Sequence, residues 1–160
     1  MANEMVTGDL QFLSGWVDQL LHEIDGQLLP EAKAAVLKGC AQAHYQMLNM
    51  DQTIAPYRGN LPAFLEFLSA AWGWKIEYDA ASGILLADEN KAACVCPLVR
   101  CGAVKNQSLL CNCSEGFAAR MFSGVLGQPV QARVIRSILK GDPSCVYQVQ
   151  MAASAGHKGE

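Results

Sequence analysis

The chain has 160 residues, of which 51% are hydrophobic, and its formal net charge is −3. This length supports one domain with a core of its own and is short for two. The 12 Lys and Arg residues are scattered, which argues against nucleic-acid binding because a phosphate backbone needs clustered cations. No apolar run reaches the roughly 18 residues that span a bilayer, and the N-terminus lacks the positive start of a signal peptide. We therefore expect a cytoplasmic protein without a membrane partner.

Helical periodicity dominates the N-terminal half of the chain. Apolar residues at three- and four-residue steps predict a first helix from Gly8 to Ile24 with one buried stripe, formed by Leu10, Leu13, Trp16, Val17, Leu20, Leu21 and Ile24. A second helix is predicted from Pro30 to about Leu48. The segment from Met50 to Gly59 reads as a loop that covers a pocket. A third helix is predicted between a cap at Asn60 and Gly73.

After Gly73 the apolar period changes from helical spacing to two, which is typical of strands. Alternation from Trp74 to Tyr78 and the runs Ile84 to Ala87 and Ala92 to Leu98 predict an antiparallel meander of three strands. Pro97 cannot donate a ladder hydrogen bond, so the third run should end at an edge or exit of the sheet.

The C-terminal third has the cleanest pattern. Ser114 is expected to cap a helix that ends near Leu126, with an apolar face formed by Phe117, Ala118, Met121, Phe122 and Val125. A strand with a bulge at Val134-Ile135 should follow, then a turn and a last strand from Cys145 to Met151. The predicted unit is helix, strand, turn, strand.

Spaced residues in this third resemble a known family. The pattern Cys-x-Cys-Ser-x-Gly-Phe from Cys111, followed by Leu-Gly-x-Pro-Val and Gly-Asp-x-x-Cys-x-Tyr-x-Val, is similar to the C-terminal half of the 4-vinyl reductase domain family. It also resembles related small bacterial and archaeal proteins of hydrocarbon-binding or thiazoline-carboxylate-hydrolase-like type. The resemblance covers about the last third of the chain.

The resemblance implies an α+β fold in which N-terminal helices pack on a curved antiparallel sheet and a further helix crosses between its strands. It also implies an apolar small-molecule pocket and a homodimer. We expect one such domain over residues 1–152 and a disordered tail over 153–160, because the tail holds small and charged residues.

The same resemblance implies a zinc site that this chain matches only in part. Aromatic-sensing members of the family hold a structural zinc through a cysteine before the helix, a Glu-x-x-Cys on the next strand and a cysteine after the turn. Cys111 and Cys145 occupy the first and last of these positions, but Val134 and Ser137 stand at the Glu-x-x-Cys. Two of four ligands are missing, so that site is not carried over intact.

Cysteine spacing by itself also indicates a metal. Cys94-Val-Cys96 and Cys111-Asn-Cys113 form two Cys-x-Cys pairs, and residues two apart in a strand share a side, about 6.6 Å apart at Cα. If the two strands are neighbours, four sulfurs can converge on zinc, with Cys145 or Cys40 replacing one corner. An iron–sulfur cluster is a second option. The alternative is that these cysteines fill core space as small hydrophobes.

Other candidate site residues lie on the predicted helices. Cys40 and His44 are four apart and share a helix face, which suits a metal or a thiolate with its base, although a core histidine explains the pattern too. Glu115 is a candidate ligand-orienting carboxylate, although a first-turn acid is also explained by the helix dipole. Aromatic and methionine side chains that form the core or line a ligand cavity are Phe64, Trp72, Phe117 and Met121.

Three functions follow as hypotheses. The first is a sensor or carrier that binds a small hydrophobic or aromatic molecule beside a cysteine-rich site. The second is a thiolate metal protein with zinc or an iron–sulfur cluster. The third is a cysteine-dependent hydrolase of a small heterocyclic substrate, which no nucleophile and base pair in the sequence specifies.

Overall fold

Helices and one antiparallel sheet form two layers in the computed structural model of the chain, which describes residues 2–104 and 107–151. The helices are α1 (Ala2–Gln27), α2 (Pro30–Met47), α3 (Met50–Ile54), α4 (Leu61–Trp72), α5 (Pro97–Arg100) and α6 (Cys111–Leu126). The strands are β1 (Lys75–Asp79), β2 (Ile84–Asp88), β3 (Gln131–Arg136) and β4 (Val146–Gln150). The predicted disordered tail over 153–160 lies outside the described residues.

The sheet has the order β1-β2-β4-β3, and every neighbouring pair is antiparallel. Because β4 lies between β2 and β3, the chain leaves the sheet after β2 and returns through α5 and α6 to the far edge. The predicted α+β class is therefore confirmed, with helices preceding the strands and α6 crossing between them. None of the helices within the described residues is long and apolar enough to span a membrane.

Local sequence signals set several element boundaries as predicted. The Asn60 side chain accepts a hydrogen bond from the backbone N–H of Ala63 at 3.2 Å, which caps α4. Gly73 and Gly127 end α4 and α6 in the left-handed conformation, at φ values of 72° and 69°. The predicted bulge in β3 is present as a register shift between Val134 and Arg136.

The main core lies between the sheet and helices α2, α3, α4 and α6. The predicted apolar face of α6 is buried at all five positions, which are Phe117, Ala118, Met121, Phe122 and Val125. On α2 the buried residues are Leu37, Ala41 and Tyr45. Cys40 on the same helix is exposed.

Helices α2 and α6 pack in close contact at Gly116. A Cβ atom at this position would lie 2.5 Å from the carbonyl oxygen of Lys38 and 2.7 Å from its Cα. Any side chain at Gly116 would therefore push α6 away from the backbone of α2. The lack of a side chain permits the contact, and this contact holds the first half of α6 beside the middle of α2.

Three predictions about elements are wrong. Residues 92–98 do not form a third meander strand: the left-handed Asn90 (φ 54°) turns the chain out of the sheet, and Pro97 begins the short helix α5. The edge of β2 pairs with β4 instead. The predicted loop from Met50 to Gly59 contains α3, whose Met50 and Ile54 are buried in the main core. Helix α6 begins at Cys111, so Ser114 lies within it and is not its cap.

The buried stripe predicted for the first helix is mostly exposed, and α1 is longer than predicted at both ends. Leu13, Trp16 and Leu20 face solvent, with Trp16 55% exposed. Val17 and Leu21 of α1 pack on a small second cluster with Leu37, Val104 and Leu110. The hydrophobic period predicted the helix correctly. The second cluster, however, covers one side of the apolar stripe of α1 and leaves Leu13, Trp16 and Leu20 exposed.

We expect Gly116→Ala to lower the free energy of unfolding by about 2–3 kcal/mol, because the new methyl group overlaps the α2 backbone. Gly39→Ala on the exposed side of α2 is the matched control, since nothing lies within 4 Å of its Cβ position. That control should gain up to about 1 kcal/mol from helix propensity. Urea denaturation measures both, and equal stability of the two variants would contradict the close packing.

Candidate ligand-binding cleft

A cleft of about 480 Å³ opens where the end of α2, the end of α4 and the start of α6 meet the sheet. We call it the aromatic cleft, because five of its lining side chains carry rings: His44, Trp72, Trp74, Phe117 and Tyr147. Lys91 and Arg100 line it as exposed cations, and Glu89 lines it as a buried acid. Cys96 and Ser114 are among its polar residues.

Ring contacts across element boundaries position these aromatic walls. Trp74 stacks on Tyr147 of β4 at 5.7 Å and 14°, while Trp72 meets Trp74 edge-on at 5.4 Å. On the opposite side, His44 of α2 stacks on Phe117 of α6 at 4.7 Å. Burial lowers the pKa of His44, so this imidazole is neutral at pH 7. Each wall therefore combines two elements, which restricts the freedom of the rings.

Glu89 follows β2 directly and is 4% exposed. Its Oε1 accepts a 2.7 Å hydrogen bond from the hydroxyl of Tyr147, and its backbone N–H donates to the carbonyl of Cys145. Its Oε2 is buried and has no hydrogen-bond partner among the residues that the structure describes. Burial raises the pKa of the Glu89 carboxyl, and the Tyr147 hydrogen bond partly opposes this increase. A buried acceptor without a partner is rare in folded proteins.

The structure brings some of the predicted ligand-binding residues together and separates others. His44, Trp72 and Phe117 line the aromatic cleft. Phe64 and Met121 are fully buried in the main core, and Cys40 is exposed on α2. Those three are not lining residues of this cleft.

Glu115 supports the fold and does not line the aromatic cleft. Its Oε2 pairs with Lys38 at 3.0 Å, and its Oε1 accepts a 3.0 Å hydrogen bond from the backbone N–H of Val134. The carboxylate thus connects α2, α6 and β3. It has a structural partner on each oxygen, in contrast to Glu89.

The lining residues that were absent from the predicted set include Trp74, Glu89 and Tyr147. Trp74 and Tyr147 belonged to the alternating patterns that predicted two strands. Such a pattern predicts the strand, but it does not show which cavity the side chains line. Glu89 lay in a polar cluster that reads as a turn. No local signal marks it, because its burial results from the pairing of β2 with β4.

The candidate metal ligands were predicted on two neighbouring strands, but they lie on other elements. Cys94 and Cys96 are in the segment before α5, Cys111 and Cys113 are in the first turn of α6, and Cys145 immediately precedes β4. All five of these thiols are nevertheless close enough for each to interact electrostatically with at least one other. Folding therefore gathers cysteines that are distant in the sequence.

This gathering does not produce a recognisable metal centre. Over residues 2–104 and 107–151, no group of three or more His, Cys, Asp or Glu side chains is arranged to hold a metal ion. The Sγ of Cys111 lies 3.0 Å from the hydroxyl of Ser137, which stands where the resembling family has a cysteine. The donor set thus does not fit the zinc site that the resemblance implies, and metal binding stays a prediction.

Burial keeps several of these cysteines in the thiol form. It raises the pKa of Cys113 and of Cys145 to about 11, and it raises those of Cys94 and Cys111 as well. A thiol with such a pKa is a weak nucleophile at neutral pH, since the thiolate is the reactive species. A metal would first have to displace these protons.

Comparisons with known proteins identify no relative. No protein-family model matches the chain, and neither a curated protein nor a solved structure matches it significantly. The likeness to the 4-vinyl reductase family therefore stays a resemblance of spaced residues.

We expect alkylation by iodoacetamide at pH 7.5 to modify Cys40 and Cys101 first, because both are exposed. Cys113 and Cys145 should react last, since their pKa of about 11 leaves little thiolate. Peptide mass spectrometry over time measures each rate, with urea-unfolded protein as the control. Fastest reaction at Cys113 or Cys145 would contradict this order and favour a catalytic thiol.

Glu89→Gln should make the stability of the fold less dependent on pH. Burial raises the folded-state pKa of Glu89, so the carboxyl group favours the folded state most when it is protonated. This contribution to stability is complete below the unfolded-state pKa of about 4.3, and it is lost as pH rises through the folded-state pKa. The variant's stability relative to wild type should therefore be higher at pH 8 than at pH 4. Denaturation of both proteins at the two pH values measures this.

The control for that comparison is Glu66→Gln on α4, because Glu66 is exposed. Its stability difference from wild type should be the same at both pH values. An equally constant difference for Glu89→Gln would show that the carboxyl is not perturbed by burial.

Proposed function

We propose that the protein binds a small aromatic molecule in the aromatic cleft and acts as a sensor or carrier of that molecule. The observation that carries this proposal is a cleft of about 480 Å³ whose walls hold five ring side chains. Ligand pockets in proteins commonly have about 300–1,000 Å³, with apolar and aromatic walls and a few polar groups. The aromatic cleft has this size and this composition.

Ring geometry favours a planar ligand. The Trp74 and Tyr147 rings are nearly parallel, and so are those of His44 and Phe117, with interplanar angles of 14° and 26°. In each pair the two rings restrain each other. Less side-chain conformational entropy is therefore lost when a ligand binds. A flat ring gains about 0.5–1.5 kcal/mol per aromatic contact beyond its buried area.

The alternative functions have less support. A cysteine-dependent hydrolase needs a thiolate, whereas burial raises the pKa of Cys94, Cys111, Cys113 and Cys145. A thiolate metal protein stays a second prediction, with zinc ahead of an iron–sulfur cluster. Elemental analysis of protein purified without oxygen tests it, and the absence of stoichiometric metal would exclude it.

The homodimer that the resemblance implies also stays a prediction. The surface that a second chain would need to cover is the exposed side of α1, with Leu13, Trp16 and Leu20. Exposed apolar patches of this kind often mark interfaces. Light scattering at several protein concentrations measures the mass directly, and a monomer at all of them would refute the dimer.

Ala71→Trp should weaken the binding of indole-based probes at least tenfold, because Ala71 lines the aromatic cleft and a larger side chain would fill its edge. Ala70→Trp is the matched control, since Ala70 is exposed on the same helix and is not among the lining residues. Isothermal titration calorimetry measures both variants and wild type. Equal binding by all three proteins would place the ligand elsewhere, and absence of binding by wild type would refute the proposal.

A further inference from the structure

We propose that the ligand of the aromatic cleft carries a protonated amino group, which binds the unpartnered oxygen of Glu89. This inference rests on the proposed function and specifies its ligand class as aromatic amines. It assigns Glu89 as the residue that selects the charge of the ligand.

The two carboxyl oxygens of Glu89 differ in their hydrogen-bond partners. Oε1 is occupied by the Tyr147 hydroxyl at 2.7 Å, and this bond fixes the orientation of the carboxyl group. Oε2 has no partner within the described part of the chain, although the side chain is only 4% exposed and lines the cleft. Burying an acceptor in this state destabilises a fold. A ligand donor at Oε2 would satisfy it.

The surroundings of Glu89 favour a cation over a neutral donor. Tyr147 donates its hydroxyl hydrogen to Glu89 and stacks on Trp74, and both rings line the same cleft as the carboxyl group. The faces of such rings attract an ammonium group. A carboxylate attracts a cationic donor more strongly than a neutral one, especially where little water is present.

The charged and titratable groups around Glu89 are compatible with a bound ammonium group. The titratable groups beside it supply no positive charge; they are Asp88 of β2, Cys94 of the following segment, Cys145 just before β4 and Tyr147 of β4. Lys91 attracts the carboxylate, but this effect is smaller than the effect of burial, and Lys91 is exposed to solvent. His44 on α2 is neutral at pH 7 because burial lowers its pKa. An ammonium group at Oε2 would therefore add a positive charge in direct contact with the carboxylate.

The two exposed cations that line the cleft would interact electrostatically with the outer end of the ligand. Lys91 and Arg100 are screened by solvent, so their repulsion of an approaching amine is weak. They can pair with an acidic group on the exposed end of the same ligand. The aromatic cleft therefore accepts an aromatic amine with or without a carboxylate at its outer end.

Binding of an ammonium group should be coupled to pH. The pKa of Glu89 is raised in the free protein, and an ammonium group at Oε2 favours the ionised carboxylate. Affinity for an amine should therefore increase as pH rises through the pKa of Glu89, while an alkylamine itself stays protonated up to a pH of about 10. A neutral ligand should not show this increase.

Calorimetric titration with tryptamine and tryptophol tests the proposal, because these probes differ only in an ammonium group or a hydroxyl group on the same indole. At pH 7.5 we expect wild type to bind tryptamine at least tenfold more tightly than tryptophol. Glu89→Gln should lower the tryptamine affinity at least tenfold and change the tryptophol affinity less than threefold. Glu66→Gln should change neither affinity.

A second measurement does not depend on the folding of a variant. The tryptamine affinity of wild type should increase between pH 5 and pH 7.5, and the tryptophol affinity should stay constant. Equal affinity for both probes, or the same pH profile for both, would overturn the role of Glu89 and leave the aromatic-binding function standing. Failure of wild type to bind either probe would reject the proposed function together with this inference.

Discussion

The close contact of α2 with α6 at Gly116 is the constraint on which the rest of the structure depends. With no side chain at this position, the helix backbones approach until a Cβ atom would lie 2.5 Å from the Lys38 carbonyl. At this separation His44 reaches Phe117 and Lys38 reaches Glu115. The first contact forms one wall of the aromatic cleft, and the second ties both helices to β3 through Val134. Local packing of two helices therefore positions half of the candidate site.

Strand pairing positions the other half. The register of β2 with β4 sets Asp88 opposite Val146 and Ala87 opposite Tyr147, so Glu89 emerges beside the Tyr147 hydroxyl. The fold thereby buries a carboxyl group with one satisfied oxygen. This arrangement lowers stability, since charged groups are poorly solvated when buried. Unsatisfied buried polar groups are rare in folded proteins. Functional sites commonly contain destabilising features of this kind, because activity can require them.

The cysteines illustrate how proximity differs from chemistry. Folding brings Cys94, Cys111 and Cys145 from three segments into one region. Their burial favours the neutral thiol, and the Ser137 hydroxyl rather than a fourth sulfur lies next to Cys111. Cysteine spacing indicated a shared location, but pKa and donor type depend on the groups that surround each sulfur.

The sequence by itself determined the features that need only local information. Helical spacing determined the buried face of α6, and Gly73, Gly127 and Asn60 determined where helices begin or end, because capping depends on backbone geometry within a few residues. The same periodicity indicated His44, Trp72 and Phe117 as candidate lining residues.

Only the tertiary structure decided which partner each apolar surface meets. Residues 92–98 were predicted as a strand, but the edge of β2 pairs with β4 instead. The apolar stripe of α1 meets a surface that covers one side of it. Glu89 became a buried acid for the same reason, since its neighbours Tyr147 and Cys145 lie more than 50 residues away in the chain. Pairing across such distances depends on competition among all available surfaces, which no local pattern contains.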